Sequence, residues 1–424
     1  MQVSVIGAGY VGLVTAAGLA HLGHRVKVGE IQQDRVDALR AGKMPLYEQG
    51  LDAMLERASE RGLISYHSDN LDAVEGSEFV FCALPTPSSE DGRADMSFVM
   101  GLVDQVAPVL TEGAVLVIKS TVPVGSAERI ALRLDEMGST SKVVSNPEFL
   151  REGNAVEDFL RPDRIVVGAF DRREGERVSA LFDGVAAPVI HTDPTSAEMI
   201  KYGSNAYLAA RITFANALAA LCEVVGADIL SVTDGMGRDK RIGPYFLQPG
   251  PGFGGSCFPK DTQALISIAA DAGYDFALLQ AVIDADHAQR RRIVGKVRES
   301  AGGTLRDRRV ALWGLAFKAG TDDTRESPAL RVARMLKQEG AEVVAFDPEA
   351  RSDEVRNAPS AVEAAEGADV LLVATEWPEF IRVDLAQVAA VMRRRQVVDA
   401  RNLLRPEDVR AAGLAYQGLG RPRA

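Results

Sequence analysis

The residues best suited to covalent chemistry lie in one glycine-rich segment, FLQPGPGFGGSCFPKD, at positions 246–261. Four glycines within six positions allow the backbone to wrap closely around a ligand. Pro259 suits the first turn of a helix that begins just after Cys257. A thiol at a helix N-terminus beside Lys260 has the surroundings that lower a cysteine pKa and make it nucleophilic. The pattern therefore predicts Cys257 as a nucleophile, with the carboxyl group of Asp261 four residues away.

The other two of the three cysteines fit a structural role. Cys82 lies in an apolar predicted strand and Cys222 in an apolar predicted helix, where a small buried thiol packs well. Widely separated cysteines without a CxxC pair predict neither a disulfide framework nor a zinc site. We therefore expect reduced thiols, as in a cytoplasmic protein, and no metal.

A second glycine motif, GAGYVG, runs from Gly7 to Gly12 between a predicted strand and a predicted helix. Such glycines permit a tight turn and let a pyrophosphate approach the helix N-terminus. Glu30 ends the next predicted strand, where it would accept hydrogen bonds from ribose hydroxyls and repel a 2′-phosphate. The motif predicts NAD rather than NADP; FAD fits the same turn, but nothing else in the chain requires a flavin.

A third polar set, Glu198, Lys201 and Asn205, lies on a predicted long helix. Spacings of three and four residues place these side chains on one face. A cation and an amide there could stabilise a developing oxyanion. A solvated polar stripe has the same pattern, so the spacing alone leaves both interpretations open.

These residues are embedded in alternating predicted strands and helices. Apolar runs at 3–6, 25–30, 79–84, 114–119, 142–145 and 164–168 predict the strands. The alternation predicts a parallel, doubly wound α/β sheet. Residues from 195 to about 225 form one Ala-rich helical pattern, roughly 45 Å long, which suits a domain connection or subunit interface as well as a buried helix. A second helical block, from 275 to about 300, carries Arg290 in a basic run that favours a solvated face.

The alternation resumes at residue 309 and repeats the beginning of the chain. RRVALWGLAF matches the first strand and turn, and GAEVVAFDP matches HRVKVGEI. The second copy keeps Gly314 alone where the first has Gly7, Gly9 and Gly12. We therefore expect that the second copy does not bind a dinucleotide in the same manner.

Composition excludes several classes of protein. The chain has 424 residues, 46% hydrophobic and 25% charged, as in folded globular proteins. Lys and Arg total 48 against 59 Asp and Glu, and the net charge of −11 disfavours nonspecific attraction to nucleic acid or anionic membranes. No basic leader precedes the first strand, and no apolar stretch approaches the ~20 residues of a membrane span. We expect a cytoplasmic protein without nucleic-acid or membrane partners.

Several motifs together resemble the UDP-glucose/GDP-mannose dehydrogenase family, which oxidises a nucleotide-sugar alcohol to the acid. They cover nearly the whole chain: GAGYVG, PTP at 85–87, KSTVPVG at 119–125, NPEFLREG at 146–153, AEMIKYGSNA at 197–206, FLQPGPGFGGSCFPKD, and GLAFKAGTDDTRESPA at 314–329. The resemblance implies two Rossmann-like doubly wound domains joined by a helical region with a long helix. An NAD-binding domain would span 1–195, a dimerisation region 196–300 and a UDP-sugar-binding α/β domain 301–424. A homodimer or higher homo-oligomer is implied.

The resemblance also implies residue roles. The catalytic residues would be Cys257, Lys201, Asn205, Asp261, Glu148, Glu152 and Thr121. The cofactor-binding residues would be Gly7, Gly9, Tyr10, Val11, Gly12, Glu30, Arg35, Thr86, Thr121, Glu152, Lys260 and Arg325. The substrate-binding residues would be Glu148, Phe149, Leu150, Lys201, Asn205, Arg241, Phe246, Leu247, Gln248, Pro249, Gly250, Gly254, Phe317, Lys318 and Arg401. Arg241 would serve the neighbouring subunit's site, and Glu30 stands where the family usually has Asp.

The implied activity is the NAD-dependent four-electron oxidation of UDP-glucose to UDP-glucuronate through a thiohemiacetal and a thioester of Cys257. A related enzyme acting on GDP-mannose or a UDP-N-acetylhexosamine shares this mechanism, although the form of the 246–261 segment favours UDP-glucose. A non-catalytic nucleotide-binding protein is the other alternative. Such a protein is expected to have lost Cys257, Lys201 or Asp261, and the chain keeps all three.

Overall fold

The computed structural model describes residues 1–89 and 91–422. The chain divides into two compact units, Met1–Ser204 and Asn205–Ala424, and the boundary falls within one continuous helix. Each unit contains its own sheet. The three domains at 1–195, 196–300 and 301–424 stay a prediction.

The first unit is built around a sheet of order β3-β2-β1-β4-β5-β6-β7-β8. Its strands are β1 (Gln2–Ile6), β2 (Arg25–Gly29), β3 (Ile64–His67), β4 (Phe79–Cys82), β5 (Val115–Ile118), β6 (Lys142–Ser145), β7 (Ile165–Ala169) and β8 (Val189–Thr192). Its helices are α1 (Tyr10–His21), α2 (Gln33–Arg40), α3 (Leu51–Glu60), α4 (Asn70–Val74), α5 (Ser97–Val106), α6 (Ser126–Glu136), α7 (Ala155–Leu160) and α8 (Arg172–Ser179), followed by a 3₁₀ turn, Ala180–Phe182.

Both faces of this sheet are covered, as a doubly wound fold requires. Successive side chains of a strand point to opposite faces. Accordingly, Val3 and Val5 of β1 belong to one buried apolar cluster with Leu13 of α1, whereas Ile6 belongs to another with Val99 of α5. The apolar runs read from the sequence are thus strands buried on both sides.

One strand pair departs from the predicted parallel arrangement. Strand β7 runs antiparallel to β6, with Ser145 opposite Gly168. A segment that joins antiparallel neighbours leaves and re-enters the sheet at the same edge. Residues 146–164 therefore stay at the carboxyl edge of β6, which is where ligands bind in sheets of this type. This direction change keeps Glu148 and Glu152 at that edge.

The second unit has a sheet of order β11-β10-β9-β12-β13-β14. Its strands are β9 (Arg309–Trp313), β10 (Glu342–Phe346), β11 (Arg356–Asn357), β12 (Val370–Val373), β13 (Gln396–Asp399) and β14 (Ala415–Gly418). Helix α9 (Pro194–Val225) crosses the boundary, and the further helices are α10 (Ile229–Gly237), α11 (Phe258–Asp271), α12 (Ala277–Ser300), α13 (Pro328–Gln338), α14 (Ala361–Ala364), α15 (Pro378–Ile381), α16 (Leu385–Val391) and α17 (Pro406–Ala411).

The two sheets repeat one plan, which confirms the predicted fold of two Rossmann-like domains. The first six strands of each unit share the order 3-2-1-4-5-6, and all of their pairings are parallel. The amide of Gly7 donates to Gly29 O at 2.8 Å, and that of Gly314 donates to Phe346 O at 2.8 Å. The two copies differ at the acidic residue that follows the second strand of each. In the second copy this residue is Asp347, which accepts hydrogen bonds from two amides of the turn after β9.

These amides belong to Leu315 (2.7 Å) and Ala316 (3.0 Å), and both donate to Asp347 Oδ2. The indole of Trp377 donates to the same oxygen at 3.0 Å. In the first unit, Glu30 accepts from one amide of the equivalent turn. In the second unit, two amides of the turn are therefore bonded to an acidic side chain, against one in the first unit.

Helix α9 confirms the long helix predicted from residue 195. It exposes several large apolar side chains, among them Tyr207, Phe214 and Val224. By length and composition it could also cross a membrane, since an 18-residue window has a mean hydropathy of 1.6. The expectation that no apolar stretch approaches that length was wrong. The many alanines of α9 raise its mean hydropathy, although they do not form an uninterrupted run of large apolar residues. Core helices of soluble proteins meet the same criterion.

Candidate active site

The turn between β1 and α1 has the shape that a pyrophosphate needs. Gly7 has a φ of +104°, and a Cβ there would lie 2.6 Å from Ala83 O. A Cβ on Gly12 would overlap Gly7 O. By contrast, a Cβ on Gly9 would meet nothing within 4 Å, and Gly9 is the N-cap of α1, without a side-chain cap. The turn thus leaves open space at a helix N-terminus, which fits a dinucleotide.

Four of the residues predicted on the cofactor side form two pairs in this unit. Glu30 accepts hydrogen bonds from Ala8 N (3.2 Å) and Gln32 N (2.9 Å), with Arg35 Nη1 3.5 Å from its carboxylate. Thr86 Oγ1 donates to Thr121 O at 2.7 Å, which joins the loops after β4 and β5. Glu30 and Arg35 therefore lie together at the end of β2, and Thr86 and Thr121 lie together at the next loops.

A buried ion pair lies at the carboxyl edge of β6. Lys201 Nζ is 2.7 Å from Glu148 Oε1, and the two side chains are 4% and 5% exposed. The other carboxylate oxygen accepts from Leu150 N at 2.6 Å. Burial raises the pKa of Glu148, but the charge and hydrogen bond of Lys201, the Leu150 amide and Lys119 together lower it below its usual value. Glu148 is thus held as a carboxylate without contact with bulk water.

The polar stripe of helix α9 is not a solvated surface, because Glu198, Lys201 and Asn205 are all buried. Glu198 accepts from Gly125 N (2.6 Å) and Ala127 N (2.8 Å) at the start of α6. This carboxyl group therefore anchors α9 to α6, whereas Lys201 serves Glu148.

Lys119, which was not among the predicted residues, is a second buried cation in this cluster. Its Nζ donates to Asn146 Oδ1 at 3.0 Å. Burial lowers the pKa of Lys119 to about 8, with a further lowering by Lys201 and an opposing effect of Glu148. The signal was present, since Lys119 opens the KSTVPVG motif at the end of β5, but a lysine at a strand end also suits a solvated position.

An aromatic ring packs beside the ion pair. The guanidinium carbon of Arg164 lies over the ring of Phe149, 3.7 Å from the ring centroid. Lys201 Nζ is 5.5 Å from the same centroid. Such cation–π contacts restrict the position of the cation. Phe149 therefore helps to hold Lys201 against Glu148.

Glu48 was also missed, because it lies in a loop without any recognised motif. Its carboxylate accepts from Gly153 N (2.6 Å), from Ala155 N (2.7 Å) and from the hydroxyl of Tyr10. The pKa of Tyr10 is raised strongly, first by burial and then by the hydrogen bond and charge of Glu48 and the charge of Glu152. Tyr10 and Glu152, both predicted site residues, therefore lie close together.

In the second unit, the predicted nucleophile lies where the sequence places it. Cys257 is the N-cap of α11 and is partly exposed, with Pro259 in the first helical turn. Its Sγ is 3.5 Å from Ser256 Oγ. The other thiols are buried as predicted, and burial raises the pKa of Cys82 to about 11. Among the three cysteines, Cys257 alone combines partial exposure with a helix N-terminus.

A fully buried carboxyl group follows Cys257 by one helical turn. Asp261 is 0% exposed and accepts from Asn205 Nδ2 at 2.6 Å and from Lys260 Nζ at 2.6 Å. The structure thus brings together three of the predicted residues: Lys260 and Asp261 in the first turn of α11, and Asn205 of α9.

The glycine-rich segment closely approaches neighbouring parts of this unit, among them the predicted residues Phe317 and Arg401. A Cβ on Gly250 would lie 2.8 Å from Arg401 Nη1, and a Cβ on Gly254 would lie 2.6 Å from Glu326 O. Arg401 is itself held by Ala374 O at 3.0 Å and by Phe317 O at 3.2 Å. Gly250, Gly254, Phe317 and Arg401 therefore lie in one region of this unit.

The start of this segment is strained and mostly buried. Phe246 has a φ of +61°, a conformation that costs a non-glycine residue free energy and is often found at ligand sites. Leu247, Pro249 and Gly250 are buried, whereas Gln248 is exposed.

The side chains that hold the backbone of the glycine-rich segment by hydrogen bonds were not predicted. Gly250 N donates to Asn216 Oδ1 at 2.8 Å, and Phe253 N donates to Asp286 Oδ1 at 3.0 Å. Asp286 pairs with Arg290 at 2.7 Å, and both side chains are buried. The interpretation of Arg290 as part of a solvated face was wrong, because its partner lies one turn back on the buried side of α12.

Of three further predicted residues, two border the glycine-rich region: Arg325 O accepts from Gly255 N at 3.2 Å, and Lys318 follows Phe317 in the chain. Arg241 is 89% exposed and pairs with Asp239 at 2.6 Å. Arg325 is 64% exposed and pairs with Asp323 at 2.7 Å. Lys318 Nζ lies 5.7 Å from the Phe317 ring centroid. Their roles stay predictions, as do those of the other site residues.

No group of three or more His, Cys, Asp and Glu side chains that could hold a metal ion is found in residues 1–89 and 91–422.

The chain is similar to known proteins along its whole length. Residues 1–186 match the NAD binding domain of the UDP-glucose/GDP-mannose dehydrogenase family, residues 195–288 its central domain and residues 311–406 its UDP binding domain. The chain is 42% identical to the UDP-glucose 6-dehydrogenase of Pseudomonas aeruginosa, over 100% of this chain and 98% of that protein.

Solved structures agree with this similarity. A UDP-glucose dehydrogenase from Pyrobaculum islandicum matches with a TM-score of 0.92 and 38% identity, covering 99% of this chain and 98% of that chain. A UDP-D-ManNAc dehydrogenase from Pyrococcus horikoshii matches with a TM-score of 0.90 and 28% identity, covering 99% of each. The resemblance read from the motifs is confirmed: the chain belongs to the UDP-glucose/GDP-mannose dehydrogenase family and carries its NAD binding domain.

Proposed function

We propose that this chain oxidises UDP-glucose to UDP-glucuronate with two NAD per turnover. The observation that carries the proposal is Cys257 at the N-terminus of α11, one turn before the buried Asp261, in a chain with an open dinucleotide turn at Gly9. The full-length similarity to proteins named UDP-glucose 6-dehydrogenase supports this substrate.

The dinucleotide would be held by the turn after β1. The open position at Gly9 suits a pyrophosphate, and Glu30 stands where a carboxylate accepts hydrogen bonds from ribose. When bound, NAD supplies the two-electron oxidant for each of the two oxidations.

Cys257 converts an aldehyde intermediate into a form that can be oxidised again. Its thiolate adds to the carbonyl carbon at C6 to give a thiohemiacetal, and the second oxidation leaves a thioester on Sγ. The N-terminus of α11 favours the thiolate, since the amide dipoles there stabilise negative charge. Covalent attachment also keeps the aldehyde from escaping.

Lys201 and Asn205, one turn apart on α9, would stabilise the oxyanions that form at C6. Asp261 would accept a proton from the water that hydrolyses the thioester, while the Asn205 amide orients its carboxyl group. Glu148 would hold the Nζ of Lys201 in position through their ion pair. Glu152 and Thr121 complete the proposed group near water and cofactor.

The substrate would be bound by residues of the glycine-rich segment with Phe317 and Arg401. Arg241, which is 89% exposed and pairs with Asp239, is proposed to act in the site of a neighbouring subunit. The apolar side chains that α9 exposes support a homo-oligomer.

We propose a cytoplasmic location, a UDP-sugar-binding domain at 301–424, a dimerisation region at 196–300 and an NAD-binding domain at 1–195.

GDP-mannose and UDP-N-acetylhexosamines are the competing substrates. Relatives named for UDP-glucose are 42% and 38% identical to this chain, against 28% for the UDP-D-ManNAc dehydrogenase. This difference favours UDP-glucose.

The test is the amount of NADH formed per UDP-glucose consumed, with GDP-mannose and UDP-N-acetylglucosamine in parallel. We expect about two NADH per UDP-glucose, since the oxidation removes four electrons. Cys257→Ser should form no acid while binding NAD normally, and Cys222→Ser, which alters a buried thiol, serves as the control. About two NADH from another sugar alone would overturn the substrate, and no NADH from any would support a non-catalytic protein. A Cys257→Ser variant that forms acid at the normal rate would overturn the nucleophile.

A further inference from the structure

Glu48 ties two loops of the first unit together through one buried carboxylate. The residue is 6% exposed and lies between α2 and α3, far in sequence from its partners. One oxygen accepts from Gly153 N at 2.6 Å and the other from Ala155 N at 2.7 Å. These amides open helix α7, whose own N-cap, Asn154, makes no side-chain cap. Glu48 therefore caps α7 from a distant part of the chain.

The same carboxylate reaches the turn after β1. The hydroxyl of Tyr10, the first residue of α1, donates to Glu48 Oε2. Gly153 N also lies 2.9 Å from this hydroxyl, so Tyr10, Glu48 and Gly153 form a closed hydrogen-bonded triangle. The dinucleotide turn is thus linked to residues 148–155, the loop that carries Glu148 and Glu152.

We propose that Glu48 is a positioning residue for catalysis, which holds the 148–155 loop in place relative to the dinucleotide turn. This inference rests on the proposed function, because the roles of both loops come from it. Since the antiparallel β7 keeps residues 146–164 at one edge, this loop is not stretched across the sheet and needs another anchor. Glu48 provides that anchor at the end of the loop farthest from β6.

The three donors around position 48 match the acceptor oxygens of a glutamate side chain. Two amides and a hydroxyl all donate to it, and a carboxylate has acceptor sites for all three. Glutamine keeps the size, but its NH₂ group would face one of the amides, where donor meets donor. Glu48→Gln should therefore loosen the loop without removing bulk.

The test compares steady-state kinetics and NAD binding in the full-length protein. For Glu48→Gln we expect kcat/KM for the nucleotide sugar to fall at least about 10-fold, because small misplacements of catalytic groups are costly. The Kd for NAD, measured by calorimetry without sugar, should stay within about two-fold, since the turn itself is shaped by Gly7 and Gly12. Glu157→Gln is the matched control, because Glu157 lies on the same helix and makes an exposed pair with Arg161.

If Glu48→Gln fails to fold, the variant Tyr10→Phe tests the proposal independently. It removes one donor and leaves both amide contacts, so we expect a smaller loss of kcat/KM. Combined with Glu48→Gln it should add less than its own effect, because both changes break the same triangle. Additive losses would overturn the proposal, as would normal kinetics in Glu48→Gln with a lowered Tm, the result for a helix cap alone.

The wild-type assay separates this inference from the proposed function. If the wild type oxidises a different nucleotide sugar, the proposed substrate fails, and the same comparison with that sugar still decides the role of Glu48.

Discussion

Replacing Lys201 with Met tests whether the buried ion pair holds Glu148 ionised. The change removes the cation and keeps an unbranched side chain in a site that is 4% exposed. Removing one partner of a buried pair typically costs about 3–5 kcal/mol. Lys119 also interacts with Glu148 and remains in the variant. We therefore expect the lower end, about 3 kcal/mol of unfolding free energy at neutral pH.

The sign of the pH dependence follows from the pKa of Glu148. In the wild type this pKa is lowered, so the stabilisation is present above the unfolded pKa and lost as pH falls through the folded pKa. In Lys201→Met, burial raises the pKa, with only the Leu150 amide and Lys119 opposing it. Protonation then relieves the unpaired charge, and the deficit relative to wild type should shrink as pH falls from about 8 to about 5.

The measurement is urea unfolding of the full chain, followed by circular dichroism across this pH range. The double variant Glu148→Gln/Lys201→Met is the control, because it has no carboxylate to leave unpaired, and it should recover about half of the deficit or more. A deficit below about 1 kcal/mol, or one that does not change with pH, would refute the reasoning.

Two further predictions concern the glycine turn and the hydrolytic step. Gly12→Ala should lower the unfolding free energy by about 1–3 kcal/mol, because its Cβ would overlap Gly7 O, whereas Gly9→Ala should leave stability nearly unchanged and raise the Kd for NAD at least about 10-fold. Equal stability losses in urea unfolding would contradict this assignment. Asp261→Asn should lower kcat about 100-fold, with a rapid first-turnover burst of NADH in stopped-flow absorbance, because thioester hydrolysis becomes limiting. Normal kcat without a burst would remove Asp261 from hydrolysis.

The local features of the site were predictable from the sequence. The GAGYVG turn and the start of α11 after Cys257 depend on neighbouring residues, so glycine spacing and a proline in the first turn identify them. The repeated strand–helix pattern likewise predicted both Rossmann-like sheets.

Features that depend on distant partners were not predictable. Glu48 caps a helix 107 residues away, and no local pattern marks such a carboxylate. The burial of Arg290 depends on how α12 supports the glycine-rich segment. The reversed β7 was missed because an apolar run shows that a strand exists but not its direction.

Asp347 bears on how one protein keeps two similar ligands apart. NAD and a nucleotide sugar both carry a ribose and a pyrophosphate, so a chain built twice on the same plan faces a problem of discrimination. In the second copy, Asp347 occupies two turn amides, and Ala316 places a methyl group where the first copy has Gly9. We therefore expect that NAD does not compete for the second copy, however abundant it becomes in the cell.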